Sequence, residues 1–114
     1  MKEQMLLIDS FPLILEDLSG FLERLTHYYK WGNKETTPEK FLRKWEEHSL
    51  ESKFYFLGWF SRALDEYGFL ASMSYMVLRE KQAITYHIRQ ILEEATPEQK
   101  ESFQKGSAEL KRKR

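Results

Sequence analysis

The chain contains no cysteine, which excludes disulfides, thiolate metal sites and cysteine nucleophiles. Its five glycines form no Gly-rich phosphate loop, and neither Gly-x-Ser-x-Gly nor His-Glu-x-x-His occurs. The Glu-x-x-His pattern of helical di-iron proteins is also missing. No apolar run approaches the roughly 18 residues that a membrane span requires. The apolar stretch at 5–15 is broken by Asp9, Ser10 and Pro12 and has no small-residue cleavage site, so no secretory leader is expected. Charge of one sign is lacking too: 18 Lys and Arg balance 18 Asp and Glu. That balance argues against a surface that is a nucleic-acid footprint throughout. These absences point to a cytoplasmic protein without a cofactor or metal, and a 114-residue chain is long enough to bury one core unaided.

What the chain has in abundance is aromatic side chains, with eight Phe, six Tyr and three Trp. Their densest stretch, residues 54–67, reads FYFLGWFSRALDEY. On a helical wheel Phe56, Leu57, Phe60, Ala63, Leu64 and Tyr67 fall within an arc of about 120°, opposite Tyr55, Gly58, Arg62, Asp65 and Glu66. This is the expected central helix, with Ser49 as its cap and Gly68 as its end.

The remaining pattern is also helical. Residues 11–29 place Ile14, Leu15, Leu18, Phe21, Leu22, Leu25, Tyr28 and Tyr29 on one face, with Asp9 or Ser10 as the expected cap and Pro12 in the first turn. Gly32 and Asn33 supply the residues that end such a helix. Thr37, Pro38 and Glu39 form an entry signal for a second helix, carrying Phe41, Leu42 and Trp45. Residues 70–95 have one apolar face, Leu70, Met73, Val77, Ile84, Ile88, Ile91, Leu92 and Ala95. Glu80 and Lys81 interrupt it, so the pattern fits one long helix or two that meet near 79–82. Thr96, Pro97 and Gln99 carry a capping box, opening a last helix with only Phe103, Ala108 and Leu110 to bury and hence weakly held. The expectation is an all-α, compact single-domain bundle of four to six helices over residues 1–110. Lys111, Arg112, Lys113 and Arg114 follow as a disordered basic tail.

Histidine is the natural acid, base or ligand near neutral pH. His27 follows Glu23 by one helical turn, which reads as an i, i+4 attraction. His48 lies at a helix end beside Glu46 and Glu47, and His87 flanks the Ile84, Ile88 and Ile91 face as a structural imidazole. The carboxylate pairs at 16–17, 46–47, 65–66 and 93–94 are sequence neighbours, which point about 100° apart on a helix and do not converge on one substrate. No enzymatic constellation emerges.

Two surfaces stand out for binding. Trp31, Tyr55 and Trp59 fall at flanks or polar faces, where Trp and Tyr serve as rigid interface anchors. Residues 79–92 set Arg79, Gln82, Tyr86, Arg89 and Gln90 opposite the buried isoleucines. Arginine and glutamine are the side chains that read guanine and adenine edges. Ala83, Ile84, Thr85, Tyr86, His87, Ile88 and Arg89 resemble the recognition helix of winged-helix repressors. That likeness is confined to this stretch: Leu78, Arg79, Glu80 and Lys81 stand where a helix-turn-helix has its turn. The tail adds four cations for phosphate. The functional expectation is a small non-enzymatic module that binds a protein partner or its own copy. A nucleic-acid-binding regulator using residues 79–92 and the tail is the alternative.

Overall fold

A computed structural model describes residues 7–15, 19–31, 36–70 and 75–112. The order is a 3₁₀ turn Leu7–Ser10, α1 Phe11–Leu15, α2 Ser19–Tyr28, strand β1 Tyr29–Lys30, α3 Pro38–Arg43, a 3₁₀ turn Trp45–Glu47, α4 Leu50–Leu70, α5 Tyr75–Glu93, α6 Pro97–Ala108 and strand β2 Lys111–Arg112. The all-α expectation holds, with six α-helices among the described residues.

Helix α4 is the centre, as its aromatic density requires, but it is buried on more than one side. Phe54, Phe56, Leu57, Trp59, Phe60, Ala63 and Leu64 are all inside, and each large side chain removed from water contributes roughly 1.5–3 kcal/mol. Phe56 lies at the middle of an aromatic cluster. Its ring stacks on Phe41 at 5.1 Å and 6° and meets Trp31 at 5.5 Å and Trp45 at 5.8 Å, both edge-on. Phe11, fully buried at the start of α1, meets Phe60 edge-to-face at 5.6 Å. These offset and T-shaped contacts are the arrangements favoured by the ring quadrupole.

Ser49 caps α4 as expected, its hydroxyl accepting from Ser52 N at 3.1 Å. Gly68 does not end the helix, which runs on to Leu70. A glycine costs a helix only about 1 kcal/mol, so it marks an end only where the chain also turns. Asp9 and Ser10 are engaged elsewhere than at the first helix's free amides. Asp9 Oδ1 accepts from Lys53 Nζ at 3.0 Å, and Ser10 Oγ donates to Leu7 O at 2.7 Å. Lys53, only 8% exposed, carries its ammonium over the Trp45 ring at 5.8 Å. The helix expected through Tyr29 stops at Tyr28, since Tyr29 and Lys30 extend and pair antiparallel with Arg112 and Lys111. The stop expected at Gly32 and Asn33 lies outside the described residues.

The last helix overturns an expectation. Helix α6 is held closely against α4, with both of its entry signals as read: Thr96 Oγ1 accepts from Gln99 N at 3.1 Å, and Gln99 Oε1 accepts from Thr96 N at 2.9 Å. Beyond the partly buried Phe103 and Leu110, its hold comes from a close backbone approach. A Cβ on Gly58 would collide with the main chain of Phe103, and one on Gly106 with that of Tyr55. Counting apolar residues on α6 misses this, because the contact needs the absence of a side chain.

Helix α5 is continuous from Tyr75 to Glu93. No turn interrupts it at 79–82, so the two-helix reading of this region fails there. Ile84, Ile88 and Ile91 are buried, as their spacing requires.

Candidate functional site

With the isoleucines of α5 committed to the core, Gln82, Tyr86 and Arg89 project outward at i, i+4 and i+7. With Asp65 of α4 and Lys81 and Thr85 of α5 they line a hollow of about 420 Å³. Tyr86 is 64% exposed, and its hydroxyl accepts from Gln90 Nε2 one turn on at 3.0 Å. That bond gives an exposed ring a preferred position. Lys81 Nζ meets Asp65 Oδ1 at 3.5 Å across the α4–α5 junction, whereas Arg89 forms no ion pair among the described residues. The hollow therefore offers a guanidinium with five donors, a flat aromatic face and a primary amide, side chains suited to recognition by hydrogen bonding and stacking. The structure thus brings together Gln82, Tyr86, Arg89 and Gln90. The side chain of Arg79 lies outside the described residues.

Trp31, Tyr55 and Trp59 also come together, but inside. The indoles of Trp31 and Trp59 meet at 5.1 Å and 80°, and Trp31 meets Tyr55 at 6.2 Å. Trp59 is 1% exposed and donates from Nε1 to Lys30 O at 2.8 Å, pinning β1 to α4. Trp59 is therefore not an exposed anchor: the chain covers it, and Trp31 and Tyr55 are half-buried beside it. Tyr55 donates to Glu109 Oε2 at 2.7 Å. Burial first, and then the Glu109 carboxylate that accepts its proton in a hydrogen bond and repels the phenolate, push the Tyr55 hydroxyl up to about 12. Glycines at 58 and 106 are the sequence signal for the close approach of α6 to α4, since small residues let helices approach.

Each histidine contacts a neighbouring side chain. His87 Nε2 lies 3.2 Å from Ser10 Oγ. Because the serine proton is given to Leu7 O, the imidazole is the donor in this contact. Burial lowers the pKa of His87. His48 stacks on Phe41 at 3.8 Å and 9° instead of meeting helix-end carbonyls, and His27 stands edge-on to Tyr28 at 5.4 Å. Among the described residues no cluster of His, Asp or Glu is arranged to hold a metal, and no helix is long and apolar enough to cross a membrane.

Lys111 and Arg112 of the basic end do not line the α5 hollow. Lys111 and Arg112 form β2 against β1, so the ordered chain extends past Leu110, while Lys113 and Arg114 lie outside the described residues. Asp65, Lys81 and Thr85 complete the hollow without having been singled out in the sequence, because only the packing of α4 on α5 sets Asp65 beside residues 81–89.

The chain matches no protein-family model, and neither a curated protein nor a solved structure shows significant similarity to it.

Proposed function

We propose that the protein is a small non-enzymatic binding module that engages a protein partner through the outer face of α5, with Tyr86 and Arg89 at its centre. The observation that carries this reading is Tyr86, 64% exposed and held by Gln90 at the rim of a hollow, in a chain where most aromatics whose burial is described are buried or half-buried. Tyrosine and arginine are enriched among the few residues that dominate interface energies, since both bring large contact area and directional hydrogen bonds. The ion pair of Asp65 with Lys81 makes the surroundings polar, as an interface rim is. A second copy of the chain is one partner this face would suit.

Photocrosslinking from a reactive residue placed at Gln82 tests the reading in the source cell. A discrete protein adduct that disappears with Tyr86→Ala is expected. Adducts that persist unchanged in both Tyr86→Ala and Arg89→Ala would remove this face from the function.

One observation favours a second reading. Gln82 and Arg89, with side chains suited to adenine and guanine edges, line the same hollow. Against it stand Asp65 in that hollow and the continuity of α5 from Tyr75 through residue 83, which leaves no turn at 79–82 where a helix-turn-helix would have one. Anisotropy of labelled single- and double-stranded oligonucleotides at low and moderate salt separates the two. Binding that weakens with Arg89→Ala would install the nucleic-acid reading.

A further inference from the structure

A second hollow, of about 590 Å³, opens at the other strand-bearing part of the fold, where α2, β1 and α3 meet. Its charged lining consists of Lys30, Lys40 and Arg43 with one carboxylate, Glu39, and Thr26, Thr36 and Thr37 add hydroxyls. These residues come from separate stretches of chain. Lys40 and Arg43 share a face of α3 at i, i+3, and Lys30 is carried there by β1, which Trp59 holds through the Lys30 carbonyl.

Among the described residues the cations in this hollow have no ion-pair partner. Lys53, Arg62, Lys81 and Lys105 each face a carboxylate, but the side chains of Lys30, Lys40 and Arg43 form no ion pair or hydrogen bond among the described residues. Strand pairing adds to the positive charge by setting Lys111 directly opposite Lys30. Like charges opposed across a strand pair destabilise it, and this opposition occurs in a chain of zero formal net charge. Among the described residues the charge lining the hollow is thus three cations against one carboxylate. Its complement is an anion with several oxygens.

We propose that this hollow binds a phosphate-bearing small molecule of nucleotide size, its phosphates lying among Lys30, Lys40 and Arg43. The arginine fork takes two phosphate oxygens at once, and the lysines add point charge. The volume falls within the roughly 300–1,000 Å³ typical of small-molecule pockets, and a single inorganic phosphate would leave most of it unfilled. Binding would also relieve the repulsion between Lys30 and Lys111, so the ligand stabilises the β1–β2 pair and with it the end of α6. The inference is independent of the α5 face, and the two fail separately.

Calorimetric titration of the full chain with tripolyphosphate and with ATP, at low and moderate salt, tests it. One-to-one binding of at least one of them, a rise in melting temperature at saturation and weaker binding at moderate salt are expected. A preference for ATP assigns the nucleoside part a contact as well, whereas equal affinity assigns recognition to the phosphate chain. The double variant Lys40→Ala/Arg43→Ala should weaken binding by about tenfold or more, the scale of lost charge-assisted hydrogen bonds, and Arg43→Glu should abolish it. Both positions are exposed, so circular dichroism is expected to report an unchanged fold. The control Arg89→Ala should bind as the parent does. No binding of either compound at low salt, equal weakening by Arg89→Ala, or binding of an oligonucleotide alone would overturn the proposal.

Discussion

Gly58 on α4 sits against the backbone of Phe103 on α6, and Gly106 on α6 sits against the backbone of Tyr55 on α4, so each helix has given up a side chain where the other crosses it. Glycine to alanine in a helix ordinarily stabilises by roughly 0.5–1 kcal/mol. Here the sign reverses, because the added methyl meets main-chain atoms, which cannot rotate away. Gly58→Ala and Gly106→Ala are each expected to destabilise by about 2–4 kcal/mol in urea unfolding. The double variant should cost less than the two losses added together, since either methyl already separates the helices. A stabilised Gly106→Ala protein would show that the crossing is not as close as described.

The buried ammonium of Lys53 depends on Asp9, 3.0 Å away. Asp9→Ala leaves that charge without its carboxylate and should cost about 2–3 kcal/mol, reduced from a fully buried case because the Asp9 side chain is partly open to water. Lys53→Met removes the charge and keeps the stem that packs beside Trp45, so it should cost less than Asp9→Ala. Chemical denaturation of both variants orders them.

Tyr55 gives a prediction at alkaline pH. Its hydroxyl titrates near 10.0 in an unfolded chain and about 12 in the fold, so between those values the folded state holds more protons. Stability linked to this group is fully present below about pH 10 and is lost as pH rises toward 12. Tyr55→Phe should flatten that part of the stability curve. Spectrophotometric titration of the phenols should show one late-titrating tyrosine that disappears in the variant.

His87 acts at the acid side. Its folded pKa is lowered from 6.5 by burial, so over the window just below 6.5 the unfolded chain binds the extra proton. Stability linked to His87 is present above 6.5 and falls on acidification until the folded imidazole is itself protonated. Proton NMR should show the His87 imidazole taking up its proton below pH 6.5. His87→Gln should remove its share of the acid loss.

Position on the fold separates Tyr86 from Phe56. Phe56→Ala empties the centre of the aromatic cluster and should cost about 3–5 kcal/mol. Tyr86→Ala touches only the outer face of α5 and should change stability by about 0.5 kcal/mol or less. Thermal unfolding that gives the two comparable losses would mean that Tyr86 packs into the core.

Much of the scaffold was legible in the residues because it is local. Thr37 and Thr96 announce their helices by a hydroxyl oxygen that accepts from a nearby amide, a geometry set within three residues. The isoleucines at 84, 88 and 91 reveal the inner face of α5, and thereby its outer face, by spacing alone. Trp59 was not legible in the same way. On the wheel it falls at a flank, and only Lys30 and Trp31, brought back against α4, show it to be inside.

The sequence by itself determined the helical class, the aromatic centre at α4 and the outward set Gln82, Tyr86, Arg89 and Gln90, since periodicity and capping act over a few residues. The tertiary structure alone decided the pairs that are distant in the chain: Asp9 with Lys53, Ser10 with His87, Lys30 opposite Lys111 and Gly58 beside the backbone of Phe103. The physical reason is that each pair depends on how whole helices come to rest against one another. A wheel shows which side of a helix is greasy; it does not show which helix will cover it.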